Sequence, residues 1–350
     1  MPARRLLLLL VSLLVAALAL GACGSDDPSP QESSDDTSSP SETSASAAAF
    51  PVTVEHKFGE TTVEEEPARV VSVGYTEHDT LLQLGVVPVG VTDWYGDQPS
   101  ATWPWAQELL GDAEPEVLSL TDGFQYEKIA ALQPDLIIGT NAGMTEKDYE
   151  LLSAIAPTVT SVEGSTQYFS SWSDQTLQIA RALGREADGQ EIIDEVDAAH
   201  AEMAAANPEY ADLTAVFSQG GPFDGILYVY PDGLSTDFLT DLGFAYLPGL
   251  EEYAPEAGSQ AEISAENVDL IEADVVVFAT ESQDQFDELQ DWATISLLPA
   301  VAEGRAVYTD ETLAGAIYFD TPLSRTYVLE QLAPMIELAA KGEAPREYPS

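Results

Sequence analysis

Positive charge is scarce in this chain: 12 lysines and arginines stand against 61 aspartates and glutamates, for a formal charge of −49. Phosphate recognition needs clustered cations, so nucleic acid is excluded as a partner. A basic patch for anionic lipid head groups is excluded on the same ground, and repulsion between copies favours a monomer. Cysteine is nearly absent. Cys23 is the only one, so neither a disulfide framework nor a thiolate zinc site can form within one chain. The three histidines, His56, His78 and His200, fall in separate segments. Glu77, His78 and Asp79 are consecutive but project to different sides of a helix. No metal site is expected, and each histidine reads as a surface residue. Enzyme signatures are missing too: no nucleophile elbow, P-loop or glycine-rich dinucleotide fingerprint follows a strand. Paired carboxylates in so acidic a chain carry no weight for glycoside hydrolysis. Yet 45% of the residues are hydrophobic and 9% aromatic, which supplies the core that disordered acidic proteins lack.

The N-terminal region has the order of a secretory leader. Arg4 and Arg5 precede an apolar run over 6–20, shorter than the roughly 20 residues of a spanning helix. Leu20-Gly21-Ala22-Cys23 resembles the lipobox of bacterial lipoproteins, in which small residues admit the signal peptidase and the cysteine is acylated. Residues 1–22 are therefore expected to be removed. Cys23 would carry the lipid, a palmitate-type anchor on the outer face of the cytoplasmic membrane. Residues 23–49 are Ser, Asp, Thr, Pro and Ala without apolar periodicity, a tether between anchor and fold.

Beyond the tether the pattern becomes regular. Segments 52–58 and 61–66 alternate about Gly59 and predict a hairpin. Short apolar runs at 69–73, 86–91, 135–139 and 158–162 alternate with helical patterns at 77–84, 126–132 and 145–155. Such alternation predicts parallel strands covered by helices. A helical stretch follows over 172–206, weakened by Gly184 and Gly189 and ended by Asn207-Pro208. Strands are expected again at 213–218, 226–230, 274–278 and 306–309, with a last helix at 323–340. The unit Glu127-Lys-Ile-Ala-Ala-Leu-Gln-Pro-Asp135-Leu-Ile-Ile recurs as Glu266-Asn-Val-Asp-Leu-Ile-Glu-Ala-Asp274-Val-Val-Val. This internal repeat implies two lobes of related design. The expected fold is α/β, two Rossmann-like lobes with central mostly parallel sheets, spanning 50–172 and 207–350, joined by a long rigid connecting helix over 173–206.

With lipobox, tether, hairpin and two lobes, the chain resembles the substrate-binding proteins of ABC importers for iron–siderophores, cobalamin and haem. Pro67-Ala-Arg69-Val-Val-Ser-Val, Leu84-Gly85-Val-Val-Pro88-Val-Gly90-Val, Glu127-x-Ile-Ala-Ala-Leu-x-Pro134-Asp135-Leu-Ile-Ile, Ile155-Ala-Pro157-Thr158-Val and Gly304-Arg305-Ala-Val-Tyr308 carry the resemblance. It implies a ligand cleft between the lobes with little closure, no catalysis and no cofactor. It also implies an ABC permease and its ATPase as partners. One exposed glutamate per lobe docks into arginine pockets of the permease in this family, which assigns that role to Glu127 and Glu266. Asp135 and Asp274 match each other equally well but precede buried strands, where a local turn or cap role is expected.

Ligand contacts are expected at the carboxyl ends of the strands, where aromatics are dense. In the first lobe the candidates are Tyr75, Trp94, Tyr95, Trp105, Phe124, Gln125, Tyr168 and Trp172, with Asn141 after a strand. In the second they are Gln260, Tyr318 and Arg325, with Gln219, Phe223, Tyr230 and Glu281. Rigid aromatic faces suit the organic shell of a chelate. Arginines that hold anionic chelates in the family are scarce here, which disfavours a trianionic catecholate and favours a ferric siderophore of hydroxamate type. Haem, with Tyr75, Tyr95 or Tyr168 as axial ligand, or cobalamin is the alternative ligand. A cell-envelope interaction protein with no transport partner is the alternative function.

Overall fold

The computed structural model describes residues 50–166 and 170–349. Cys23 with its leader and tether, and Tyr168, lie outside the described residues. The hairpin forms from β1 (Val52–His56) and β2 (Gly59–Val63), antiparallel with His56 opposite Gly59. Its inward residues Val54 and Val63 join the core, and Thr61 Oγ1 donates to the carbonyl of Thr158 at 2.7 Å.

The first lobe runs β3 (Val70–Ser72), α1 (Glu77–Gln83), β4 (Gly90–Asp93), α2 (Pro104–Leu110), β5 (Glu116–Ser119), α3 (Tyr126–Ala131), β6 (Leu136–Gly139), α4 (Glu146–Ser153) and β7 (Thr158–Thr160). All pairs in its sheet are parallel, in the order β5-β4-β3-β6-β7. The extended segment expected from residue 86 begins only at Gly90. The N–H of Val86 turns back to the carbonyl of Leu81, and Gly85 takes the left-handed conformation this turn requires (φ 75°). Alternate residues of one strand reach opposite cores: Leu136 and Ile138 pack with Ile179 and Leu183, and Ile137 packs with Ile129 and Leu152. A strand buried on both faces is a continuous apolar run, which is why Leu136-Ile-Ile reads as it does.

The stretch expected as one connecting helix over 173–206 divides into α5 (Trp172–Ala182) and α6 (Glu186–Ala206). Gly184 adopts φ 66°, and the N–H of Arg185 returns to the carbonyl of Ala180. The two helices then pack together at Gly189, where a Cβ would lie 2.4 Å from the Cβ of Ala180. α5 thus belongs to the first lobe's core. The connection is α6, ~30 Å long at 1.5 Å per residue, with Met203 near its end against the second core.

The second lobe contains β8 (Thr214–Gln219), β9 (Ile226–Val229), α7 (Asp237–Thr240), β10 (Ala245–Tyr246), β11 (Ala261–Ser264), β12 (Val275–Ala279), α8 (Gln283–Asp291), α9 (Pro299–Ala302), β13 (Ala306–Tyr308), α10 (Glu311–Phe319) and α11 (Pro322–Ala340). Its sheet has the order β11-β9-β8-β12-β13, with β10 also against β8. β9 runs antiparallel to both β8 and β11, and the other pairs are parallel. β8-β12-β13 repeats β3-β6-β7, and again both faces are buried: Val275 and Val277 enter one core, Val276 and Phe278 the other.

The sequence repeat is a repeat of hydrogen bonding as well. Asp135 accepts from the N–H groups of Ala68 and Arg69, both at 2.8 Å, just before β3. Asp274 accepts from the N–H and the hydroxyl of Thr214, both at 2.9 Å, at the start of β8. Each aspartate ties the strand it precedes to its parallel neighbour. The repeat departs from expectation in one respect: the segment containing Glu266 is a 3-10 helix, Ala265–Ile271, interrupted at Asn267 (φ −111°, ψ 18°).

Beyond α6, the lobes meet face to face. Asp79 of α1, wholly buried, accepts from Trp105 Nε1 and from Thr321 Oγ1, each at 2.7 Å. Thr321 also caps α11, in a capping box with Ser324. Trp103, 1% exposed, stacks on Trp105 and lies against Gly315 of α10.

Candidate functional site

A cavity of about 420 Å³ lies between the lobes. The first lobe contributes Tyr75 after β3, Trp94 and Tyr95 after β4, Asn141 after β6, and Ser170 and Gln175 around the start of α5. The second contributes Phe217 and Gln219 from β8, Tyr230 after β9, Ser235, Gln260 before β11, and Glu281 after β12. The end of α10 closes one wall with Ile317, Tyr318, Phe319 and Asp320. Tyr75, Trp94, Tyr95 and Asn141 sit just beyond strand carboxyl ends, where an open α/β sheet leaves room.

Buried polar groups hold the loops in place. Glu77, 1% exposed, accepts from the N–H of Asn141 at 2.6 Å and that of Thr76 at 3.1 Å, and the N–H of Tyr75 donates to the carbonyl of Asn141. Gly74 makes space for this carboxylate: a Cβ there would fall 2.0 Å from Glu77 Oε1. Burial raises the pKa of Glu77, with its backbone hydrogen bonds opposing.

The aromatics form one connected wall. Tyr75 stacks on Trp94 at 5.4 Å, Trp94 lies 5.5 Å from Phe319, and Tyr95 meets Tyr318 at 6.4 Å. Tyr230 and Tyr318 are 6.3 Å apart, and Phe217 touches both. Two buried polar atoms on lining residues, Tyr95 Oη and Asn141 Oδ1, have no protein partner among the described residues. Groups of this kind in an apolar cavity are ready to meet polar atoms of a ligand.

Charge is distributed one-sidedly. Among the described residues none that lines the cavity is a lysine, arginine or histidine, whereas Glu281 and Asp320 are both present. Arg325, expected in the cleft, is 2% exposed and committed elsewhere. It pairs with Asp320 at 2.9 Å and Asp241 at 2.5 Å, and its guanidinium lies over the ring of Trp172 at 4.7 Å. Burial opposes its charge, but Asp320, Asp241 and Asp237 outweigh burial and raise its pKa. Burial raises the pKa of Glu281, and the nearby Glu311 carboxylate adds to this.

Of the sequence-predicted ligand residues, Tyr75, Trp94, Tyr95, Asn141, Gln219, Tyr230, Gln260, Glu281 and Tyr318 line the cavity, whereas Phe223 is exposed outside it. Trp105, Phe124, Gln125, Trp172 and Arg325 are not among its lining residues. Trp105 is packed between Trp103 and Tyr327 and bonded to Asp79. Phe124 leans on Tyr126 against the first core, and Gln125 is exposed, accepting from the N–H of Ser119. Trp172 supports Arg325. Tyr168 lies outside the described residues. Phe217, Ile317 and Phe319 were missed because apolar residues on a central strand and an apolar helix read as core. Only the end of α10 at Asp320, in the left-handed conformation (φ 47°), turns that helix end to the cavity.

The histidines correct the expectation of surface positions: His56, His78 and His200 are 4%, 0% and 3% exposed. His56 Nε2 pairs with Thr61 Oγ1 at 2.9 Å, His200 Nδ1 with the carbonyl of Val196 at 2.8 Å, and His78 packs edge-on to Phe319. Burial lowers the pKa of all three. A neutral imidazole is small enough to serve as core once its polar atoms or ring edge find neighbours. Among the described residues no group of three His, Cys, Asp or Glu could hold a metal ion, and no helix is long and apolar enough to cross a membrane. Glu127 and Glu266 are both exposed, each at the second position of its helix, α3 and the 3-10 helix Ala265–Ile271.

A family model described as periplasmic binding protein matches residues 70–313. The Fe(3+)-citrate-binding protein YfmC of Bacillus subtilis is 26% identical over 257 residues, 72% of this chain and 76% of that one. Among solved structures, a periplasmic solute binding protein from Mycobacterium smegmatis is similar with a TM-score of 0.77 at 40% identity, covering 83% of this chain and 98% of that one. PiaA of Streptococcus pneumoniae in complex with ferrichrome is similar with a TM-score of 0.69 at 26% identity, covering 83% and 99%.

Proposed function

This chain belongs to the periplasmic binding protein family, and from that premise we propose that it captures a ferric siderophore between its lobes and delivers it to an ABC permease and its ATPase. The observation that carries this reading is the cavity of about 420 Å³ walled by aromatic rings from both lobes. That size and lining suit a rigid organic chelate. The absence of lining cations among the described residues favours a neutral or positively charged complex, hence a hydroxamate over a polyanionic catecholate. Binding to YfmC and PiaA of iron citrate and ferrichrome supports the ligand class. In this reading the protein performs no covalent chemistry, Cys23 anchors it to the membrane through lipid, and the tether lets it reach the permease as a monomer.

Glu127 and Glu266 supply the docking contacts. Their matched, exposed positions in the two halves of the repeat support this role, and carboxylate–guanidinium pairing is directional. With Glu127→Arg and Glu266→Arg combined, ligand affinity is expected to stay unchanged while iron uptake by whole cells drops. Uptake at the parental rate would refute the assignment. The ligand class is tested by quenching of tryptophan fluorescence with ferric hydroxamates, ferric catecholates, ferric citrate, haem and cobalamin in one buffer. Saturable quenching by a ferric hydroxamate at submicromolar concentration is expected. Two cavity tyrosines, Tyr75 and Tyr95, keep haem as the second reading, and a Soret band lost on changing one of them would favour it.

A further inference from the structure

Two carboxylates line the cavity, and they differ in one respect. Asp320 is ion-paired with Arg325 at 2.9 Å. Glu281 takes part in no ion pair among the described residues. Its Oε2 accepts from Gln285 Nε2 at 3.1 Å, and its N–H donates to Gln285 Oε1 at 2.9 Å. An amide orients the carboxylate without neutralising it. Glu311, the other charged group acting on it, has the same sign. Glu281 is half-buried, so its charge is only partly screened by water.

The surroundings of this carboxylate are aromatic. Tyr318 stands between Tyr95 and Tyr230, with ring centroids at 6.4 and 6.3 Å, and all three line the same cavity as Glu281. The phenols are neutral: burial first and then the charge of Glu281 raise the pKa of Tyr95, burial first and then Tyr230 and Glu281 raise that of Tyr318, and Tyr230 is pushed up to about 12 chiefly by burial. A carboxylate with aromatic faces beside it and no fixed counter-cation is the arrangement that recognises an organic ammonium, by charge pairing and cation–π attraction together. A bare metal ion fits less well, because no group of three ligating side chains exists among the described residues.

We propose that Glu281, with Tyr95, Tyr230 and Tyr318, forms a subsite for an ammonium group carried by the chelate, so that the cleft selects positively charged ferric siderophores. The inference rests on the siderophore reading above and adds to it the charge of the ligand and the residue that reads it.

The test uses the full-length chain in detergent and two probes with one iron-binding core. Ferrioxamine B is a ferric trihydroxamate ending in a protonated primary amine. Its N-acetyl derivative has the same core and no charge on the tail. The ammonium form is expected to bind about tenfold more tightly. In Glu281→Gln that preference should fall to about one. Equal affinity of the unmodified protein for both forms would overturn the inference and leave the siderophore reading standing, and this comparison needs no variant. A preference that survives in a folded Glu281→Gln protein would also overturn it. Failure of both probes to bind would overturn the hydroxamate reading and this inference with it.

Discussion

Substituting Gly315 by alanine tests whether the lobes are locked together through Trp103. In an otherwise unconstrained helix interior this change stabilises, by up to about 1 kcal/mol. In α10 the new Cβ would lie 2.6, 2.7 and 3.0 Å from Cη2, Cζ3 and Cζ2 of the Trp103 indole. The indole has no retreat: it is 1% exposed, it stacks on Trp105 at 5.2 Å, and Gly96 approaches it from the first lobe. Overpacking of this kind costs roughly 1–3 kcal/mol and outweighs the helical gain. The expected result is a lower midpoint of thermal unfolding, by a few degrees for a protein of this size. Weaker ligand binding should accompany it, because Tyr318 and Phe319 on the same helix line the cavity. Trp103→Phe removes the atoms that clash, so Gly315→Ala should cost much less in that background, a coupling of about 0.5–3 kcal/mol. A Gly315→Ala protein as stable as the parent, or a penalty for Gly315→Ala that is the same in the parent and in the Trp103→Phe background, would refute the reasoning.

Other outcomes follow from the buried polar groups. Asp274→Ala removes both bonds to Thr214 and is expected to destabilise by about 1–2 kcal/mol in chemical denaturation. Those bonds hold the Asp274 pKa below its ordinary value of 3.8, so its contribution is complete above that value and is lost as pH falls through the lowered one. A pH-independent difference between Asp274→Ala and parent below pH 4 would refute this. For His78, burial lowers the folded-state pKa below the ordinary 6.5. As pH falls below about 6.5 the unfolded chain takes up a proton that the folded one refuses, and stability is lost. His78→Phe should lose less stability between pH 7.5 and 5.5 than the parent, and an identical loss would show that His78 does not titrate in this way.

Much of the fold was legible because its signals are local. A strand buried on both faces must be apolar at every position, so Leu136-Ile-Ile and Val275-Val-Val announced central strands, and the repeat of Glu127–Asp135 in Glu266–Asp274 announced two related lobes. Gly184 marked the break within the helical stretch, yet only the packing of Ile179, Ala180 and Leu183 with Leu136 and Ile138 assigns α5 to the first lobe and leaves α6 as the connection. Polar-loop aromatics such as Tyr75, Trp94 and Tyr95 stood out as cavity residues because nothing local required them there.

The rest depended on distances that no local pattern encodes. Trp105 and Trp172 looked like loop aromatics free to meet a ligand, but the partners that claim them, Asp79 and Arg325, come from elsewhere in the chain. Arg325 read as a cleft cation until Asp320 and Asp241 converged on it. The histidines read as surface residues because an imidazole is polar; His56 and His200 find partners close in sequence, Thr61 and the carbonyl of Val196, whereas His78 is covered by Phe319 from the other end of the chain. By itself, the sequence determined the central strands β3, β6, β8, β12 and β13, the repeat that relates the two lobes and the shortage of cations, since each is set by residue type and short-range periodicity. Which aromatics line the cavity, which carboxylate stays unpaired and how the lobes lock together were decided by tertiary packing, because each depends on which of several equivalent side chains the fold sets next to a partner distant in sequence.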